Sequence, residues 1–230
     1  MSIAEKFETI ADEVYEKGKK SEYEKFWDDY IYHINNDYTG GFGAFAGGGW
    51  TKENCKPNAD LKPRYAYQMF GYNTAIEDLD AWCEECGITI DFSKSISFIY
   101  TFYGMNNCLK SVGVINTTSA NNIGQIFYGA LGLHTIKNLI LKEDGSQNLP
   151  SAFHNCTSLA NLTITGKIGY NGFDVKQCPL THDSLMSIIN ALYDYSETTT
   201  TKAVTFGETN LAKLTDAEKA IATQKGWSLA

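Results

Sequence analysis

Three phenylalanines, Phe102, Phe127 and Phe153, stand 25 and 26 residues apart, and each opens a similar segment. The clearest runs Phe153-His-Asn-Cys156-Thr-Ser-Leu159-Ala-Asn-Leu162-Thr-Ile164. The one before it carries Phe127, Leu133, Ile136, Leu139 and Leu141, and the one before that Phe102, Cys108, Leu109, Val112 and Val114. Four residues ahead of each phenylalanine is another apolar residue: Phe98, Ile123, Leu149. One such unit, a short strand plus a turn, cannot bury its own apolar side. Stacked neighbours turn the recurring positions into continuous internal ladders, so the period predicts a repeat array rather than a domain with a closed core.

The L-x-x-L-x-L spacing sends alternate strand residues inward and leaves those between them outside. Thr89, Gly113, Asn138 or Ile140, and Thr163 fall on that outer strand face. They are mostly small or polar, which suits a solvated surface, and they are the candidate binding residues. The Phe-x-x-Cys-x-x-Leu-x-x-Leu-x-Ile string at 153–164 resembles the BspA type of leucine-rich repeat, whose period lies in the range of roughly 20–29 residues. The tail from Gly207 to Leu229 resembles the closing segment of such proteins from gut bacteria and their prophages. Lys19 to Tyr30, Ala44 to Trp50 and Lys56-Pro57 resemble their lead-in. The resemblance implies a surface adhesin or binding protein.

Composition narrows the partners. The chain of 230 residues has a formal charge of −8 and a single arginine, Arg64. Nucleic-acid binders and anionic membrane surfaces both call for clustered cations, so neither is expected as a partner. No stretch approaches the ~18 apolar residues of a membrane span. The start, Met1-Ser-Ile-Ala-Glu-Lys-Phe-Glu, lacks the apolar core of a signal peptide. The expected location is cytoplasmic or virion-associated, or the cell surface or exterior where a signal has been trimmed. Without a secretion signal the six cysteines read as thiols rather than a disulfide framework.

In chain order, residues 1–34 read as helical. Ile3, Phe7, Ile10 and Val14 form one stripe that either packs on the first repeat or makes a homo-oligomer through residues 2–16. Ser21 to Glu24 is a capping-box pattern for a second helix. Residues 35–64 are a Gly/aromatic-rich lead-in. Its Gly41-Phe-Gly-Ala-Phe-Ala46 fits a relaxed dinucleotide-binding string, but no apolar strand precedes it and Gly47-Gly-Gly blocks the helix that would hold the pyrophosphate. Residues 65–180 are the repeat region, beginning with a degenerate unit in which Ala66 and Phe70 take the paired apolar positions. That unit contains Trp82-Cys83-Glu-Glu-Cys86. A thiol redox reading requires a lowered thiol pKa, whereas this pair ends a predicted helix and flanks two acids, which raises it. Residues 181–230 form a closing α/β unit, with Thr181 and Thr215 as helix N-caps and strands near 203–206 and 227–229.

The sequence therefore predicts an α/β leucine-rich-repeat solenoid with short parallel strands, a turn-rich convex side, N-terminal helices and an α/β C-terminal cap. Its predicted role is non-enzymatic: a scaffold binding a protein or glycan, as an adhesin or a phage tail or fibre accessory. No catalytic constellation, metal-ligand set or cofactor motif is expected. The alternatives are a structural or oligomerisation module without a ligand of its own, and a Cys83/Cys86 thiol oxidoreductase.

Overall fold

The computed structural model describes residues 25, 27–37, 41–47, 50, 59–199 and 201–230. The described chain is a mixed α/β protein whose short parallel strands form three small sheets, none closed into a barrel. Helix α1 covers residues 27–36. Strand β1 (Ala59–Leu61) pairs with β2 (Ile88–Ile90), and helix α2 (Leu79–Cys86) precedes β2. The central sheet contains β3 (Ser111–Asn116), β4 (Thr135–Ile140) and β5 (Asn161–Thr165). The last contains β6 (Phe173–Asp174), β7 (Lys202–Thr205) and β8 (Trp227–Leu229), with helices α3 (His182–Ala191), α4 (Glu208–Leu211) and α5 (Asp216–Gln224). The stripe at Ile3, Phe7, Ile10 and Val14, and with it the 2–16 oligomerisation reading, lies outside the described residues.

The phenylalanine period becomes a physical stack. Phe45, Phe70, Phe102, Phe127 and Phe153 lie nearly parallel at centroid separations of 5.4, 5.2, 5.2 and 5.9 Å. All five are buried. Phe173 closes the stack edge-on, at 82° to Phe153. The residues four before, Ala66, Phe98, Ile123 and Leu149, form a second buried ladder. Both ladders are interior columns of the kind that repeat stacking produces. The stack reaches back to Phe45, inside the stretch read from sequence as a lead-in.

A backbone ladder holds these rungs in register. In each rung the N–H groups of the phenylalanine and of the residues two before and two after it donate to the next rung. Their acceptors are the carbonyls three before, one before and one after the next phenylalanine. Thus Gln68, Phe70 and Tyr72 donate to Ile99, Thr101 and Tyr103 at 3.1, 2.8 and 2.8 Å. Gln125, Phe127 and Gly129 donate to Pro150, Ala152 and His154 at 2.9, 3.0 and 2.9 Å. Gly43, Phe45 and Gly47 donate likewise to Tyr67, Met69 and Gly71. Gly43, within the nominal dinucleotide string, thus directs its amide to the next rung. The chain can aim alternate amides one way because the residues two before and two after each phenylalanine have positive φ. These are Gly43 and Gly47, Gln68 and Tyr72, Tyr100 and Gly104, Gln125 and Gly129, Ser151 and Asn155.

The strand side departs from a simple L-x-x-L-x-L reading. In β3 and β4 the inward residues are three apart, Val112 with Ile115 and Ile136 with Leu139, whereas in β5 Leu162 and Ile164 are two apart. The extra residue is a bulge, and the register shifts between Ile136 and Leu139. Val114, read from sequence as inward, is accordingly 60% exposed, and Ile115 takes its place in the core.

Packing closes the first rung and the strand edge of the last. Trp27 of α1 is buried with Tyr30, Trp50 and Trp82 around the first rung, where Phe45 lies 5.1 Å from Trp50 and 5.3 Å from Trp82. At the other end α3 covers the free edge of β5. Ser184 Oγ accepts from Leu162 N at 2.8 Å and donates to the Ala160 carbonyl at 2.9 Å, and Ser187 Oγ accepts from Ile164 N at 2.8 Å. Two helix serines thus satisfy edge amides that would otherwise invite another strand. Thr181 caps α3, and Thr215 with Glu218 forms a capping box on α5.

Truncating the middle of the stack removes contacts to two neighbouring rings at once. Phe127→Ala is expected to lower unfolding stability by about 3–5 kcal/mol, while Tyr128→Ala, on the solvent side of the same rung, costs well under half of that. Urea midpoints of the two variants check this, and equal losses would contradict the stacked-core account.

Candidate functional site

The residues expected on the outer strand face do not form one surface. Thr89 is exposed but lies in the β1–β2 sheet, where its hydroxyl donates to Asp60 Oδ1 at 2.7 Å. Gly113 is buried beneath the N-terminal turn of α2, where a Cβ would stand 2.2 Å from Asp80 Oδ1. The inserted helix crosses there, so Gly113 is not open to a ligand. Asp80 is itself bonded to Lys137 Nζ at 2.7 Å. Asn138 is half-buried and accepts from the Thr165 hydroxyl at 3.0 Å, Ile140 is half-buried, and Thr163 is exposed. The sheet face left to a partner is short, and α2 interrupts it.

The turn face is different. A continuous row of aromatic rings runs along it. Phe42 stacks on Tyr67 at 5.0 Å, Tyr67 meets Tyr100 edge-on at 5.7 Å, and Tyr100 meets Tyr103 at 5.0 Å. Tyr103 stacks on Tyr128 at 5.1 Å, and Tyr128 on His154 at 4.8 Å. Tyr72 joins from the side, 5.4 Å from Tyr103. Phe42 and Tyr72 are 56% and 53% exposed, His154 is exposed, and the other tyrosines are half-buried. Tyr67, Gln68, Tyr72, Tyr100 and Tyr103 line a shallow cleft of about 200 Å³. The stripe contains aromatic rings and no carboxylate, lysine or arginine. Burial, followed by the neighbouring Tyr72, raises the Tyr103 phenol, so it remains a neutral donor through the physiological range. Sequence reading missed this surface, although Tyr67, Tyr103, Tyr128 and His154 each adjoin a repeat position already marked.

A second cleft, of about 170 Å³, opens where the stripe ends. Pro150, Ser151, Phe153, His154, Tyr170, Gly172, Asp174 and Gln177 line it. Elsewhere cations gather at Lys62, Arg64 and Lys94 around the exposed Ile96, and Lys62 is held by Asp60 at 2.8 Å.

The thiols are set up for packing. Burial, reinforced by Asp80, pushes the Cys83 thiol up to about 12, and burial pushes Cys178 to about 12 as well. Cys156 is buried and donates through Sγ to the Phe127 carbonyl at 3.1 Å. A thiol at that value stays protonated and non-nucleophilic at neutral pH. Among the described residues no group of three or more His, Cys, Asp or Glu side chains could hold a metal ion, and no helix is long and apolar enough to cross a membrane. Comparison with protein-family models, with curated proteins and with solved structures gives no match for this chain.

Two outcomes test this geometry. Gly113→Ala is expected to destabilise the protein by about 1–3 kcal/mol through overpacking, and Asp80→Ala in the same chain to recover most of that loss. Independent, additive losses in a double-mutant cycle would remove α2 from above the strand. For the thiols, the folded state holds protons that the unfolded chain releases above 9.0, so their contribution to stability is complete below that pH and is lost as pH rises towards 12. Native protein at pH 8 should resist alkylation at Cys83 while urea-unfolded protein reacts, as peptide mass mapping would show.

Proposed function

We propose that this chain is a non-enzymatic recognition scaffold, a leucine-rich-repeat solenoid that binds a glycan chain along its turn face. One observation carries the reading: a row of partly exposed aromatic rings without a carboxylate, lysine or arginine, continuous from Phe42 to His154 across successive rungs. Aromatic side chains offer apolar area with little side-chain entropy to lose, and tyrosine adds a hydroxyl at its rim. Sugar rings present the same mixture, apolar C–H faces edged by hydroxyls. The rung spacing of about 5 Å is close to the repeat of an extended chain of pyranoses, so successive sugars can meet successive rungs. A preformed rigid face also lowers the ordering cost of binding. The BspA-type likeness of 153–164 supports a setting as a surface adhesin of gut bacteria or an accessory of a phage tail or fibre.

A glycan array with purified protein tests the reading, with two double variants alongside. Tyr103→Ala/Tyr128→Ala is expected to weaken binding about fivefold or more, through the apolar ring area lost to the sugar. Asn138→Lys/Thr163→Lys, on the strand face, is expected to leave it unchanged. The opposite pattern would move recognition to the sheet. Binding to protein ligands but to no glycan would replace the ligand class.

A further inference from the structure

We infer that the cleft between the Phe153 rung and β6 is a subsite for an N-acetylated amino sugar. This rests on the glycan reading above and names the sugar that the end of the stripe selects.

The cleft is a gap in the backbone ladder. At every earlier junction three amides cross to three carbonyls of the next rung. By the same register Ser151, Phe153 and Asn155 would donate to Tyr170, Gly172 and Asp174. They do not. Phe173 follows Phe153 by only 20 residues and belongs to a strand that pairs with β7. The Gly172 N–H donates to the Ala203 carbonyl at 2.8 Å, which ties this segment to β7 rather than to the rung before it. Asn155 N is taken by Gln177 Oε1 at 2.9 Å. The Ser151 and Phe153 amides have no acceptor among the described residues, although Phe153 is 1% exposed. The remaining amides of the rung bond within it: Ala152 to Leu149, His154 to Ser151, and Cys156 to Phe153.

Two amides two residues apart, beside a left-handed Ser151 (φ 52°), are left open as donors at the cleft. The opposite wall carries the complementary group. Asp174 lines the cleft, with Oδ1 accepting from Lys176 N at 2.9 Å and Oδ2 lying 3.2 Å from Lys176 Nζ. A bare carboxylate ligand would meet the open amides but bring no N–H to Asp174. An acetamido group serves both kinds of group, its carbonyl accepting from an open amide and its N–H donating to Asp174. Pro150 offers apolar surface to the methyl, and Tyr170 and His154 flank the space a pyranose would fill. The volume of about 170 Å³ suits one substituted sugar residue rather than a chain. His154 belongs to both cleft and stripe, so one polymer can occupy the two together.

The test is a titration of ¹⁵N-labelled protein with three β-linked tetrasaccharides: N-acetylglucosamine, its de-N-acetylated form, and glucose. The acetylated sugar is expected to shift the Ser151 and Phe153 amide resonances and to bind about tenfold tighter than either of the others. Asp174→Ala should remove most of that preference while leaving the weaker stripe binding in place. Equal binding of all three, without movement of those two resonances, would overturn the subsite and leave the glycan reading standing. Failure of every sugar would overturn both. Acetate shifting the two amides where the acetylated sugar does not would make the row a carboxylate site and sink the proposal.

Discussion

The hydrogen-bond ladder on the turn side is the constraint from which the rest follows. Three amides per rung point forward, so the next rung must place three carbonyls opposite them at one spacing and one tilt. That fixes the phenylalanines face to face and sets their near-constant separation. It also explains Pro150, which sits where the rung supplies a carbonyl and needs no N–H. The ladder is not the source of net stability. Three hydrogen bonds per junction at about 0.5–1.5 kcal/mol each are largely offset by two left-handed residues, whose strain is of order 1–3 kcal/mol each when they are not glycine. The favourable remainder comes from burying the phenylalanine and its apolar partner four residues before it, about 1.5–3 kcal/mol per side chain. Polar geometry chooses the register, and apolar burial stabilises it.

A directional ladder has two unlike ends, and the protein treats its strand and turn sides differently there. On the strand side the last edge is sealed by Ser184 and Ser187. On the turn side the polypeptide leaves early for β6, so only Asn155 is sealed, by Gln177. The C-terminal unit instead builds its own three-stranded sheet. Its interior is tied to the repeats by Asn210, whose Nδ2 donates to Cys178 and Phe206 carbonyls at 2.8 and 3.0 Å. Trp227 Nε1 donates to Tyr193 at 2.8 Å, and Lys225 Nζ to the Ile189 and Asn190 carbonyls at the end of α3. Neither the strand face nor the closing unit shares the aromatic, charge-free character of the stripe.

How much of this was legible depends on whether a feature recurs at one repeat position. The phenylalanine column does, and so do Ala66, Phe98, Ile123 and Leu149, and these predict the buried ladders directly. The N-caps Thr181 and Thr215 are equally local and were visible for that reason. The bulge was not. Val112-Gly-Val114 satisfies a period of two as written, and only pairing with β4 reveals that Ile115 is the inward residue. Nor was the fate of Gly113, because Asp80 reaches it from an inserted helix 33 residues earlier in the chain. The left-handed positions were hidden too, since Gln68, Tyr72, Tyr100, Gln125 and Ser151 occupy sites where glycine would have announced the turn.

The stripe escaped the sequence for a more instructive reason: it keeps to no single column. Phe42 and Tyr67 stand three before their phenylalanines, Tyr100 two before, and Tyr103, Tyr128 and His154 one after. Read column by column, each is an ordinary half-exposed aromatic. The stack converts that diagonal drift into a continuous line, because the edge-on contact of Tyr100 with Tyr103 carries it from one side of the phenylalanine to the other within a single rung. Only the inward columns must repeat, since only they fill a shared core. The outer ones are free to drift, and a surface that crosses columns while remaining unbroken and uncharged is not required by the packing. That freedom separates the aromatic row from the buried ladders it lies beside: the core fixes the ladders and leaves the composition of the turn face open.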